Sequence, residues 1–237
     1  MSNQGQRVAV ITGASQGIGA GLVAGYRKLG YAVVATSRNI AVSHDPEILT
    51  VKGDIAVRDT ADRVVTAAME RFGRIDTLVN NAGIFVAKSF TEYTEDDYDA
   101  VLGVNVDGFF RITQLAVERM LEQGGGHVVQ ITSTLADQAN SNVPSVLAAL
   151  TKGGLQSATK ALAIEFATRG IRSNAVSLGT IRTPMHSEEH HAALAGLQPV
   201  GRLGEVDDIV DAVVYLENAP FVTGVILHVD GGQSAGH

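Results

Sequence analysis

Two rhythms of apolar residues alternate along the chain. Short unbroken runs at 8–11, 31–36, 48–51, 127–131, 171–176 and 225–229, with another opening the stretch 76–83, have the length and continuity of strands covered on both faces. Between them the apolar positions fall at helical spacing. Ile18, Leu22 and Tyr26 share one face, which Gly30 ends. Val57, Ala61, Val64, Val65, Ala68, Met69 and Phe72 share another, closed by Gly73. Thr94-Glu-Asp-Asp97 reads as a capping box opening a helix, 109–121 as an amphipathic helix, and 205–216 as the last one. The longest helix is predicted over about 144–168. Its stripe of Val146, Leu150, Gly154, Ala158, Leu162 and Phe166 suits burial against a sheet or against a second copy of itself. Strands and helices in this alternation predict one α/β domain over 1–237, a doubly wound parallel sheet of about seven strands flanked by helices.

The first strand runs into Thr12-Gly-Ala-Ser-Gln-Gly-Ile-Gly19. Gly13 suits the tight turn, Gly17 leaves room for a ligand beside the backbone, and Gly19 lets the helix sit close on the strand. With Ser15, Gln16 and Ile18, the turn offers free N–H groups at a helix start, where an anion binds. The spacing, three residues and then one between glycines, differs from the common dinucleotide fingerprint. Taken alone it also describes an ordinary glycine-rich turn.

The later strand ends settle the choice in favour of a Rossmann-like nucleotide site, because in a parallel sheet they share one edge. The second strand ends at Ser37-Arg38, where such folds select the ribose. An acid there would accept from the 2′-OH of NAD; Arg38 offers a donor fork to a 2′-phosphate, with Ser37 beside it, and favours NADP(H) over NAD(H). A solvated surface arginine is the plainer alternative. After the third strand, Asp54 is placed to accept from an adenine amino group and Ile55 to pack on the ring, although Asp54 serves equally as a helix cap. Asn105 is a polar residue between Val104 and Val106, suited to distorting a helix or holding a water. Ser133 ends the fifth strand, facing the crevice or capping the strand end. Residues 184–203, polar and rich in histidine, suggest a mobile lid.

Composition narrows the partners. A net charge of −7 with no basic run argues against nucleic acid. The absence of cysteine excludes disulfides and thiol catalysis and fits a cytoplasmic protein. No secretory signal or membrane span is expected. His186, His190 and His191 have metal-like spacing but no fixed third ligand nearby, so no metal is expected.

The motifs Thr12–Gly19, Asn80-Asn-Ala-Gly83, Asn105, Ser133, Lys152 with Gly153, 179–185 and Val229-Asp-Gly-Gly232 together resemble the short-chain dehydrogenase/reductase family over nearly the whole chain. The resemblance implies that Asn81, Ala82 and Gly83 pass beside the adenosine ribose, and that Ile181 and Thr183 hold the nicotinamide amide. It implies further that Lys152 binds the nicotinamide ribose, Ser133 bonds the reacting oxygen of a small-molecule substrate, and Asn105 anchors a water leading to Lys152. It also implies a dimer or tetramer built on the long helices.

One position departs from the family pattern. The family's acid/base is a tyrosine four residues before the lysine, and here that position is Ala148. None of the five tyrosines lies near Lys152 in sequence. The cofactor carries hydride chemistry, so the departure removes only the proton partner. Lys152 acting through a water, His186 and Tyr93 are the candidate substitutes, in that order. Leu178, where the family usually has proline, is a lesser departure. The leading expectation is an NADP(H)-dependent oxidoreductase acting on a small carbonyl or alcohol. The competing one is a nucleotide-binding sensor or subunit without catalysis.

Overall fold

Adjacent residues in each apolar run point to opposite faces of the sheet. In β1 (Val8–Thr12), Val8 and Val10 join one core while Ala9 and Ile11 join the other. The same split recurs in β2 (Ala32–Ser37), with Ala32 and Val34 on one side and Val33 and Ala35 on the other. These runs are unbroken because neither face of the sheet meets water.

The computed structural model describes residues 5–185 and 187–236. β3 (Ile48–Lys52), β4 (Thr77–Asn80), β5 (Gly126–Ser133), β6 (Ile171–Leu178) and β7 (Ile226–Val229) complete a seven-stranded sheet of order β3-β2-β1-β4-β5-β6-β7. Every pairing is parallel. α1 (Gly17–Lys28) and α7 (Val206–Asn218) pack on one face through Leu22, Tyr26, Ile209, Val213 and Leu216. α2 (Arg58–Phe72) and α4 (Phe109–Gln123) cover the other through Val64, Ala68, Ile112, Ala116 and Met120. The predicted capping box opens α3 (Glu95–Leu102): Thr94 Oγ1 accepts from the Asp97 N–H, and the Asp97 carboxylate accepts from the Thr94 N–H.

Two elements differ from expectation. α3 and α4 are joined through a π-helical segment, Gly103–Gly108, into one 29-residue helix, Glu95–Gln123. By length and composition alone this helix passes for a membrane span, but Ile112, Ala116, Val117 and Met120 are buried on the sheet. The long helix α5 (Val146–Phe166) buries Leu147, Ala148, Thr151, Leu155, Thr159 and Ala163. The stripe read from the sequence is divided: Val146, Leu150 and Gly154 are exposed, while Phe166 is buried in the core and Leu162 packs against it; Ile164, off the stripe, is exposed as well. Both faces of α5 carry apolar residues at four-residue spacing, so periodicity alone did not tell inside from outside.

At the edge of the sheet opposite the glycine turn, the buried Glu217 carboxylate gathers donors from four elements. Tyr26 Oη (3.1 Å), Tyr31 Oη (2.7 Å), Thr77 Oγ1 (3.0 Å) and His127 Nδ1 (2.9 Å) all donate to it. His127 Nε2 accepts from Asn174 Nδ2 at 3.0 Å, which assigns the proton to Nδ1 and keeps the ring neutral. Burial lowers the His127 pKa below its usual 6.5. Burial pushes Glu217 upward, but its hydrogen bonds from His127, Tyr31 and Thr77 prevail and hold it at about 2. Both shifts make acid destabilising. Below pH 6.5 the unfolded chain protonates His127 while the native chain does not. Below 4.5 the unfolded chain also protonates Glu217, and that contribution is gone once the pH falls through about 2. Urea unfolding across pH 7 to 3 should therefore show stability falling as pH falls. His127→Asn should flatten the upper part of that slope. Glu217→Gln should cost about 3 kcal/mol at neutral pH, the scale for removing one member of a buried polar pair.

Candidate active site

The strand C-termini open onto one cavity of about 550 Å³. Its wall begins at the glycine turn, where Gly13, Ser15, Gln16, Gly17, Ile18 and Gly19 all line it. Gly17 has φ +54°, a conformation that a side chain disfavours. A Cβ there would also touch Thr183 at 3.3 Å, so this glycine is required by the turn itself. A Cβ on Gly19 would run into Gly13 O and Asn81 Nδ2, which accounts for the close seat of α1. The N-cap of α1, Gln16, makes no side-chain cap, and the first turn carries no acid. The first N–H groups of a helix have no acceptor within it, and the residues that carry them here, Gly17, Ile18 and Gly19, line the cavity.

Ser37, Arg38, Asp54 and Ile55 line the outer end. Arg38 is exposed and makes no hydrogen bond or ion pair among the described residues. Thr36 Oγ1 and Ser37 Oγ are buried beside it without partners. Unsatisfied buried hydroxyls are costly, so this rim is built to receive polar groups. Asp54 Oδ1 accepts from the Ala56 N–H at 3.0 Å, a local turn rather than a cap of α2, whose N-cap is Val57. The chemistry and position of these groups fit a dinucleotide.

Asn81 joins β4 to the turn. Its Nδ2 donates to Thr12 O (2.9 Å) and Gly13 O (3.1 Å), while Thr12 Oγ1 accepts from the N–H groups of Asn81 and Ala82. With its side chain so committed, Asn81, like Ala82 and Gly83, offers the cavity chiefly backbone. Ile181 and Thr183 line the wall opposite. Ile181 is pinned because Gly204 N–H donates to Thr180 O and Arg182 N–H donates to Gly204 O.

Ser133, Ala148 and Lys152 meet at the inner end. Ser133 Oγ accepts from the Leu135 N–H at 3.2 Å, which leaves its proton for an acceptor in the cavity. Lys152 Nζ donates to Ile131 O at 2.9 Å, and no carboxylate pairs with it. Burial therefore pushes its pKa down from 10.5 to about 8. Asn105 does not line this cavity. It is buried behind it in the π-helical segment, where Oδ1 accepts from the Ile84 N–H (3.0 Å) and Nδ2 donates to Ile84 O (3.1 Å) and Thr151 Oγ1 (3.2 Å). Its side chain thus spans from the π-helical segment to the loop after β4 and to α5.

Tyr93, another proton donor read from sequence, is not brought here. Tyr93 Oη is spent on Val86 O at 2.9 Å and does not line the cavity. His186 lies outside the described residues. The stretches 84–98, 134–147 and 184–203, which the sequence offers as the substrate pocket, contribute Phe85, Leu135, Val143, Leu194 and Leu197 to the lining, although none of these is singled out by its pattern, and Gln233 was missed altogether. The segment read as a polar lid contains a short helix, α6 (His191–Ala195), and turns Leu194 and Leu197 inward. Their spacing of three was the available signal. Asp230 was also passed over: it accepts from Thr134 Oγ1 and from the N–H groups of Gly232 and Ser234, fixing the turn after Ser133.

Fold and site together define an oxidoreductase scaffold of the nucleotide-binding α/β class. The chain belongs to the short-chain dehydrogenase/reductase family, residues 13–234 matching its branch described as enoyl-(acyl carrier protein) reductase. It is 34% identical over 241 residues to the 3-oxoacyl-[acyl-carrier-protein] reductase FabG of Thermotoga maritima, covering 95% of this chain and 97% of that one. It is 35% identical to the L-rhamnose 1-dehydrogenase (NAD(P)(+)) of Azotobacter vinelandii, with 95% and 96% covered. The 3-ketoacyl-(acyl-carrier-protein) reductase from Brucella melitensis complexed with NADH superposes with TM-score 0.89 at 33% identity, over 96% and 98% of the two chains. ElxO with NADP bound superposes with TM-score 0.91 at 28% identity, over 98% and 100%.

The lowered basicity of Lys152 is directly testable. Carbon NMR of protein labelled at the lysine side chains should show one titration near pH 8 that is absent in Lys152→Met.

Proposed function

We propose that this protein is an NADP(H)-dependent oxidoreductase that moves a hydride between the dinucleotide and a small carbonyl or alcohol, with its proton relayed by water to Lys152. The observation that carries this reading is one cavity with an uncapped helix N-terminus and a free Arg38 at one end, and the hydroxyl of Ser133 with the half-buried Lys152 at the other.

The glycine turn holds the pyrophosphate by its N–H groups. Arg38, Ser37 and Thr36 take the 2′-phosphate, and Asp54 and Ile55 flank the adenine. When bound, the dinucleotide supplies or accepts hydride. Ser133 donates to the substrate oxygen and orients the carbonyl. Lys152 holds the nicotinamide ribose and exchanges its proton with the substrate oxygen through a water in the space beside Ala148. A pKa of about 8 suits that exchange near neutral pH. Asn105 acts from behind, fixing Ile84 and, through Thr151, the turn of α5 that carries Lys152.

The outward apolar face of α5, with Val146, Leu150 and Ile164 exposed, supports the dimer or tetramer expected from the family. Ala148 supports a second reading, a cofactor-binding sensor or subunit without turnover, and the two part on whether any carbonyl is reduced.

NADPH should bind more tightly than NADH by roughly ten- to a hundredfold, and Arg38→Ala should abolish that preference, the scale of one or two charge-assisted hydrogen bonds. Equal affinities in the unaltered protein, measured by fluorescence titration, would overturn the role given to Arg38. Ala148→Tyr should raise ketone reduction by roughly 10²- to 10⁴-fold, the ordinary value of a positioned acid. No turnover by either form, with NADPH bound, would favour the sensor.

A further inference from the structure

The inner end of the cavity offers a substrate very little charge. Among the described lining residues only Arg38, Asp54 and Lys152 carry ionisable groups of fixed charge. Arg38 and Asp54 follow β2 and β3, at the outer end. Lys152 is held against Ile131 O. The two cations nearest in sequence are turned away: Arg182 pairs with Glu205 and Arg202 with Asp208, all on the surface, and neither arginine lines the cavity. Asn140 and Asn142, in the β5–α5 connection, make a turn with each other and do not line the cavity.

What faces the inner end is apolar. Leu135 and Val143 approach from the two ends of the β5–α5 connection, Leu194 from α6, and Phe85 and Met185 from the loops after β4 and β6. Phe85 and Met185 are 38% and 61% exposed, large apolar side chains standing at the cavity with no cover of their own. Ala148, with a single methyl, adds space beside Ser133 instead of a polar group.

From this lining we infer that the substrate is an uncharged ketone with an aryl or branched alkyl body seated on Phe85, Leu135 and Met185 over Ala148, and that carboxylate-bearing substrates are rejected. The inference rests on the oxidoreductase reading above. In the reduction, the carbonyl carbon gains one hydride from reduced dinucleotide, its oxygen keeps the former π pair and takes one proton that Lys152 passes through a water and regains from solvent, and an alcohol and oxidised dinucleotide leave. An anionic group on the same body would be stripped of water among Phe85, Leu135 and Met185, with Lys152 already committed to Ile131 O and to the reacting oxygen and no second cation among the described lining residues at that end. The apolar body exchanges water for the lining at a gain.

Matched ligands test this without turnover. 1-Phenylethanol and mandelate share a ring and a carbinol and differ by a carboxylate. On protein saturated with NADPH neither has a hydride acceptor, so calorimetry reads binding alone. 1-Phenylethanol should bind at least about tenfold more tightly than mandelate. Met185→Arg, at an exposed position, should reverse the order by bringing a cation to the inner end, and Leu135→Arg serves as the second variant. Acetophenone and benzoylformate reduction should follow the same order. Mandelate binding as well or better in the unaltered protein, or no binding of either alcohol beside bound NADPH, overturns the inference. If 1-phenylethanol binds as expected and no ketone is reduced, the inferred lining stands and the oxidoreductase reading fails. If NADPH itself does not bind, the cofactor reading fails, and the preference between the two alcohols in the cofactor-free protein still decides the inference.

Discussion

The site depends on the gap between β1 and β4. The strand order runs outward from β1 to β3 and then returns to place β4 on the other side of β1. Connections leave that point toward opposite faces of the sheet, and the parallel arrangement opens a crevice there at the C-terminal edge. An open crevice leaves backbone carbonyls without strand partners. Asn81 closes that deficit: its amide donates to Thr12 O and Gly13 O, while Thr12 Oγ1 takes the N–H groups of Asn81 and Ala82. These four bonds hold the glycine turn and the β4 exit in one frame. They also fix the direction of α1, since its first-turn glycine touches the same carbonyl and amide. An anion site at a helix start needs its N–H groups aimed and kept free. Asn81 aims them without occupying them.

At the other end of the cavity a second arrangement has the same logic. Lys152 is a half-buried cation with one carbonyl acceptor and no carboxylate partner among the described residues, an arrangement that costs stability. The cost appears as a lowered pKa, the property a proton-exchanging group at neutral pH needs. Asn105 is spent on rigidity here: its three bonds tie the π-helical segment to Ile84 and to α5. A π turn widens the helix by a residue and brings a side chain where regular α geometry does not. This π-helical turn lies behind Lys152.

The fold was legible because it is carried by periodicity. Each apolar run became a strand, and the capping box at Thr94–Asp97 formed as read. Glycine, arginine and lysine at the strand ends and on α5 met in one cavity because parallel topology obliges them to. What stayed hidden is set by tertiary packing. The inward and outward faces of α5 are both apolar, and only the position of β5 and β6 decides between them. Leu194 and Leu197 sit among polar residues and histidines, so their direction follows from the fold of the whole loop. The Glu217 cluster draws on residues from 26 to 217, a separation no local pattern spans. Gly21 and Gly25, poor choices in a helix, are explained only by Val206 and Val210 of α7, which occupy the room their side chains would need.

Ala148 has to be judged in this setting. An alanine in a core helix is a bland residue and a good helix former. Its meaning comes from what stands around it. Ser133 keeps a hydroxyl proton uncommitted, and Lys152, one helical turn along, remains charged and half-buried at a stability cost. A cavity serving only to hold a nucleotide gains nothing at this end from a hydroxyl aimed at open space. A hydroxyl able to polarise a carbonyl, an ammonium that titrates near neutrality and room for one water beside the alanine make a coherent proton path. The same room, walled by Leu135 and Val143, also widens the seat for an apolar body. On the proposed reading, one small side chain moves the chemistry in two directions, giving the proton to water and the space to the substrate.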